Sequence, residues 1–276
     1  MPPQAPAPTP FHFHARPIQR GAGECIAAKV SYDLRAKIYD QRTGTTYDNS
    51  KDSADILGAP IVVGMRGTPE EIAAKLELRE KHPRAVPGID MEGALPWQLR
   101  DRAGAVVRRF AEEYHEKFGL PLIAAVHRPP KKQKRGKSVS GDARNYHFHA
   151  VSGLRQVGVD GNLAKNKSTA WDAAHWQNDG EVNALAWCRE HLCEIINDEL
   201  GKAGYPEVKW DHRSHAERGV EQEPTRHLGQ AATYAERSGT PTKRGERNRK
   251  IKARNTAKKA QKATAPEEKP TTKTAP

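Results

Sequence analysis

Tyr146-His147-Phe148-His149-Ala150-Val151 alternates polar and apolar side chains and reads as a short β-strand. Strand side chains point to alternate faces, so His147 and His149 share a face, while Phe148 points the other way, towards a core. Two imidazoles fixed side by side supply half of a metal site, or a pair of general acids and bases. The plain alternative is a solvent-facing strand with two incidental histidines.

The neighbouring segments give the pair company. Leu122-Ile123-Ala124-Ala125-Val126-His127 is an apolar strand that ends in a histidine. Between the two strands, Arg128 to Arg144 is rich in Pro, Gly and Lys and carries Lys131, Lys132, Lys134, Arg135 and Lys137, as expected of a long exposed loop. If the strands are antiparallel neighbours, His127, His147 and His149 converge. Ile89 to Pro96 is a further strand candidate, with Asp90 and Glu92 on one face. Phe11 to Ile18 reads as a first strand and carries a rival pair, His12 and His14.

Helices fill the intervals. Gly21 to Glu24 opens one that continues through Cys25–Val30 and Tyr32–Leu34. Gly44 and Asn49-Ser50 then punctuate a loop carrying Tyr47 and Asp48. Thr68-Pro69-Glu70-Glu71 starts a helix with Thr at the N-cap and Pro in the first turn, expected to run to about Lys81. Gln98 to Lys117 places Leu99, Ala103, Val106, Val107, Phe110 and Tyr114 on one side, and Gly119 stops it. Glu181 to Gly201 is the clearest helix.

The chain has 276 residues, 36% of them hydrophobic, and a net charge of +12. That balance points to a polyanionic partner, most simply nucleic acid, and to partial disorder. No apolar run is long enough for a transmembrane helix, and MPPQAPAPTP lacks the features of a signal peptide. Cys25, Cys188 and Cys193 show no CxxC pairing, which fits a reducing cytoplasm better than a disulfide framework and argues against thiolate-held zinc. Between Lys243 and Pro276 there are twelve Lys and Arg against three Glu. The expected layout is a disordered leader over 1–10, a catalytic domain over 11–237 and a basic tail over 238–276, disordered or marginally helical.

Three histidines without thiolates suit a divalent ion with open coordination positions, a Lewis acid able to polarise a phosphoryl oxygen. Asp90 and Glu92 could accept an imidazole N–H or serve as a base. With basic segments to hold a backbone, the set suggests phosphodiester cleavage. Attack by water would make a hydrolase, and attack by a tyrosine a covalent strand-transfer enzyme. Tyr32, Tyr39 and Tyr47 are the N-terminal candidates, and periodicity does not choose among them.

The residues carry a resemblance. Ala27-Ala28-Lys29-Val30-Ser31-Tyr32, Tyr39-Asp40-Gln41-Arg42-Thr43-Gly44-Thr45-Thr46-Tyr47-Asp48, Ala94-Leu95-Pro96, Ala125-Val126-His127 and His147-Phe148-His149 come in order. They are followed by Asp211-His212-Arg213-Ser214, Arg218-Gly219 and Pro224-Thr225-Arg226-His227-Leu228-Gly229. This series resembles the MobA/MobL plasmid mobilisation relaxases, among the HUH (His-hydrophobe-His) endonucleases. The resemblance implies an α+β fold with a mainly antiparallel sheet flanked by helices. It implies nicking of one DNA strand at a plasmid transfer origin, with Tyr32 as nucleophile, a 5′-phosphotyrosyl link and a free 3′-OH. The implied ligands are His127, His147 and His149 and the implied ion Mg²⁺ or Mn²⁺, with Asp90 and Glu92 as the acidic residues. Implied partners are single-stranded or supercoiled plasmid DNA, accessory mobilisation proteins and a type IV coupling protein. Lys131, Lys132, Lys134, Arg135, Lys137, Arg213 and His227 are the candidate DNA contacts. The rivals are a rolling-circle replication initiator or transposase of the HUH type, and a basic DNA-binding protein without catalysis.

Overall fold

The computed structural model describes residues 9–129, 143–172, 183–226 and 228–264. In chain order the elements are β1 (Thr9–Pro10), β2 (Phe13–Ile18), α1 (Ile26–Leu34), β3 (Lys37–Asp40), β4 (Thr45–Asp48), β5 (Ile56–Val63), α2 (Pro69–Arg79), β6 (Gly88–Leu95), α3 (Ala103–Phe118), β7 (Leu122–His127) and β8 (Tyr146–Gly153), then α4 (Ala184–Lys202), β9 (Trp210–Asp211), α5 (Gln230–Arg237) and α6 (Lys243–Thr264). The fold is α+β. Its centre is a five-stranded antiparallel sheet in the order β2-β6-β8-β7-β5.

Strand alternation sorts the sheet into two faces. Phe13, Met91, Val126, Phe148 and Ala150 pack against Val107, Phe110 and Tyr114 of α3 and Leu192 and Ile196 of α4. Ile18, Ile123, Ala125 and Val151 pack against Ile26 and Val30 of α1 and Ile72 and Leu76 of α2. Phe148 is fully buried, a contribution of about 1.5–3 kcal/mol. Opposite it in register stands Gly93, where a Cβ would lie 2.3 Å from the Phe148 ring. The pair fits only because one member has no side chain.

The helices carry their expected signals. Thr68 and Glu71 form a reciprocal capping box at the start of α2, with Pro in the first turn. Gly119 ends α3 in the left-handed conformation (φ 68°). Trp97–Leu99 forms a separate 3₁₀ turn, so α3 begins at Ala103 rather than Gln98. The expected loop around Gly44 is a hairpin of β3 and β4.

α1 is fastened at both ends. The Cys25 Sγ accepts from the Ala28 N–H, 3.3 Å away, as an N-cap. The buried Glu77 of α2 accepts from Ile26 N at 2.8 Å, from Arg20 Nε at 2.7 Å and from Arg42 Nε at 3.0 Å. Arg20 also donates to the carbonyls of Glu77, Glu80 and His82, covering the carbonyl end of α2. At the far end Arg35 caps α1 with φ 49°, the one non-glycine positive φ among the described residues.

The chain divides into two units, Met1–His212 and Arg213–Pro276. In the second, residues 243–264 form a helix, the alternative to a disordered tail. Asn248 and Asn255, two turns apart on α6, clasp the backbone of an extended segment. Asn248 bonds Arg226 N and O at 2.9 and 2.7 Å, and Asn255 bonds Glu223 N and O at 3.0 and 2.9 Å. Glu223 pairs with Arg254 at 2.5 Å and Glu236 with Arg249 at 2.6 Å. No helix among the described residues is long and apolar enough to cross a membrane.

Candidate metal centre

β7 and β8 pair antiparallel with His127 directly opposite His147 and Ala125 opposite His149. Directly opposed residues lie on one face, so the three imidazoles share the face covered by α1. Their ring centroids are 4.7 to 5.2 Å apart. One nitrogen from each lies within 4.8 Å of the others, the one such group of three or more metal-ligating side chains among the described residues.

The hydrogen bonds sort the nitrogens. His127 Nε2 is 2.6 Å from the Asp33 carbonyl and His147 Nδ1 is 3.2 Å from the Asn145 carbonyl. A ring nitrogen that donates to a carbonyl carries the proton, which leaves the other nitrogen as a lone-pair donor. His149 Nδ1 faces Asp33 Oδ1 at 3.8 Å. Burial first, then the neighbouring histidines, lowers the pKa of His149 to about 2; burial likewise lowers that of His127 to about 4. Both rings are therefore neutral at physiological pH, the state a cation needs. All-imidazole donors fit a divalent ion with exchangeable positions.

Tyr32 reaches this cluster from the last turn of α1. Its ring stands edge-on to His149 at 5.6 Å and tilted to His127 at 6.5 Å, and it is 43% exposed. The Arg35 guanidinium lies 4.1 Å over the Tyr32 ring. Tyr47 shares a hydrogen bond with Cys25, which raises its pKa to about 12, and Tyr39 is exposed on β3.

Sequence reasoning missed Asp33. Its side chain is 2% exposed, and neither carboxylate oxygen has a hydrogen-bond partner. Burial, reinforced by the charge of Asp90, holds its carboxyl well above the usual range. A signal existed: Ile26, Val30, Asp33 and Leu34 fall at helical spacing, so an acid stands on the apolar stripe of α1.

Asp90 and Glu92 lie on the histidine face of β6, with Glu92 opposite both His149 and His14. Asp90 is held by Lys29 Nζ at 2.6 Å and Arg16 Nε at 3.2 Å. Glu92, His14, Arg16, Lys29, Asp90, Tyr32 and His149 line one cavity of about 340 Å³. His12 and His14 stand outside the three-histidine cluster; the His12 carbonyl accepts from Ala94 N. Arg213 is exposed and opens the second unit. Lys131, Lys132, Lys134, Arg135, Lys137 and His227 lie outside the described residues. Cys25, Cys188 and Cys193 are buried and unbridged.

Fold and site define an α+β protein whose antiparallel sheet presents three histidines to a helix-borne tyrosine. The chain belongs to the MobA/MobL family, whose model matches residues 25–238. It is 30% identical over 246 residues to "Mobilization protein MobL" of Acidithiobacillus ferridurans, covering 82% of this chain and 64% of that protein. It is 26% identical over 249 residues to "Conjugal transfer protein TraA" of Agrobacterium fabrum, covering 80% of this chain and 21% of that protein. The chain thus spans just under two-thirds of the first relative and about a fifth of the second. A solved structure described as "Molecular Basis of Vancomycin Resistance Transfer in Staphylococcus aureus" shares the fold. Its TM-score is 0.57 at 16% identity, over 75% of this chain and all of that one.

Proposed function

We propose that this chain is a metal-dependent DNA relaxase of the HUH type, which nicks one strand at a plasmid transfer origin by tyrosine transesterification. The observation that supports it most is the contact of a half-exposed Tyr32 ring with two histidines of the candidate metal centre.

His127, His147 and His149 would hold Mg²⁺ or Mn²⁺, which when bound polarises a phosphate oxygen and stabilises charge building at phosphorus. Tyr32 Oη forms a bond to phosphorus while the P–O3′ bond breaks, leaving a 5′-phosphotyrosyl link and a 3′-OH. The phenol proton passes to Glu92, which shares the cavity with Tyr32, and the departing 3′ oxygen takes a proton from solvent. Phenolate is also a good leaving group, so a 3′-OH reverses the step. Asp90 holds Lys29 and Arg16 at the cavity, where their charge suits a phosphate backbone. Arg35 places a cation beside the phenol. Asp33 orients His127 through its carbonyl, and its carboxylate sets a negative group beside His149.

The proposed substrate is single-stranded or supercoiled plasmid DNA, with Lys131, Lys132, Lys134, Arg135, Lys137, Arg213 and His227 as backbone contacts. Accessory mobilisation proteins, a type IV coupling protein and a bacterial cytoplasmic location complete the proposal. The test is incubation of supercoiled plasmid carrying the transfer origin with the protein and Mn²⁺. A covalent protein–5′-DNA adduct is expected and is lost in Tyr32→Phe. His147→Ala abolishes nicking and spares salt-sensitive DNA binding. A metal-dependent nick without an adduct would instead make the chain a hydrolase, and binding without nicking a DNA-binding module.

A further inference from the structure

Where β6 leaves the sheet, beyond the histidines, a second cavity of about 470 Å³ opens. Its walls are aromatic and apolar: Trp97, Tyr146, Trp210, Leu95 and Val208. Trp97 is 40% exposed, so part of its ring is open to a ligand. Pro96 and the 3₁₀ turn it precedes hold that ring in place, and the Arg100 guanidinium lies 5.6 Å from its centre. Trp210 stands edge-on to Phe11 at 6.2 Å, and its carbonyl accepts from Asn197 at 2.9 Å.

The polar groups lining the cavity are Gln98, Asn145 and Arg144. Amide and guanidinium groups are those that pair with the edges of nucleobases, and flat aromatic walls are what unstacked bases cover. The cavity lies at the same end of β6 and β8 as the metal centre, with its apolar lining on the opposite face of the sheet. Asn145, one of its walls, offers its carbonyl to His147 Nδ1; Tyr146 is the next residue in the chain; and Ala94, another wall, is the register partner of His147. A protein with a net charge of +12 favours a polyanionic ligand.

We propose that this cavity is a nucleobase subsite: it takes one splayed base of the single strand, stacked against Trp97. The proposal rests on the reading of single-stranded DNA as substrate. It adds the position at which the protein contacts a base rather than the backbone.

The test compares fluorescence-polarisation affinities for an oligothymidylate 12-mer and an abasic 12-mer with the same phosphates. Trp97→Ala is expected to weaken the oligothymidylate roughly 5-fold to 100-fold, the range of one base–aromatic stack. It should leave the abasic 12-mer unchanged, and Trp97→Phe should recover most of the loss. Calorimetric titration with Mn²⁺ should give the same affinity in wild type and Trp97→Ala, showing that the neighbouring centre is intact. Unchanged oligothymidylate binding in Trp97→Ala overturns the proposal. So does an equal loss on both oligonucleotides, which would reflect the phosphates or the fold. Oligothymidylate binding unchanged in Trp97→Ala, with the Tyr32 adduct formed, removes the subsite alone; a Trp97-dependent affinity without a Tyr32 adduct removes the relaxase chemistry and leaves the subsite standing.

Discussion

Asp33→Asn separates metal binding from stability, because the two effects have opposite signs. The side chain is buried, both oxygens lack a partner, and Oδ1 faces His149 Nδ1 at 3.8 Å. In the metal-free protein that carboxyl is a cost: its folded pKa is raised, so it lowers stability at every pH above the unfolded value. An amide of the same shape removes the charge, and an unsatisfied buried polar group costs about 1–3 kcal/mol. The metal-free variant should therefore be as stable as wild type or more so, by up to about 3 kcal/mol. With metal the sign reverses. Removing the carboxylate that faces a ligating imidazole should weaken metal affinity about 10-fold to 100-fold, the range for groups behind a metal ligand, about 1.4–2.7 kcal/mol. The Asp33 carbonyl still holds His127 in the variant, so the loss reports on the carboxylate alone. Urea unfolding in chelator gives the first quantity and Mn²⁺ titration calorimetry the second. A variant that binds Mn²⁺ as tightly as wild type, or is less stable in chelator, would refute the assignment.

Glu77→Ala leaves Arg20 buried without its carboxylate and Ile26 N without its acceptor, and should cost about 3–5 kcal/mol in urea unfolding. Arg35→Gly relieves a left-handed backbone costing about 1–2 kcal/mol and removes the cation over Tyr32; stability should hold within about 1 kcal/mol while adduct formation slows by about tenfold. Burial depresses His127 and His149 below their unfolded pKa of about 6.5, so the unfolded state binds more protons and stability drops as pH falls, from about 6.5 to about 4 for His127 and to about 2 for His149. In chelator the loss should be about 2 kcal/mol per imidazole between pH 7 and pH 5. Asp33 acts with the opposite sign, so the clearest reading is in Asp33→Asn, where further replacement of His149 by Leu should flatten the profile.

Much of the fold could be read from residue patterns. The alternation around His147 and His149, the apolar run ending at His127 and the N-cap at Thr68 are local signals, and each became its expected element. The hairpin around Gly44 escaped because its side chains are mostly exposed and give no apolar alternation. The α6 helix is a run of like charges, held against Glu223 and Arg226 by two asparagines whose partners lie more than twenty residues away.

The sequence by itself determined which side chains share a strand face, since that follows from a period of two. It thereby put His147 with His149, and Asp90 with Glu92. Only the tertiary structure decided what stands opposite those faces. Register brought His127 to His147, and the packing of α1 across the sheet set Tyr32, rather than Tyr39 or Tyr47, beside the histidines. The same packing placed Asp33 against two imidazoles and gave Asp90 to Lys29 and Arg16. Contacts between elements depend on distances that no local period encodes.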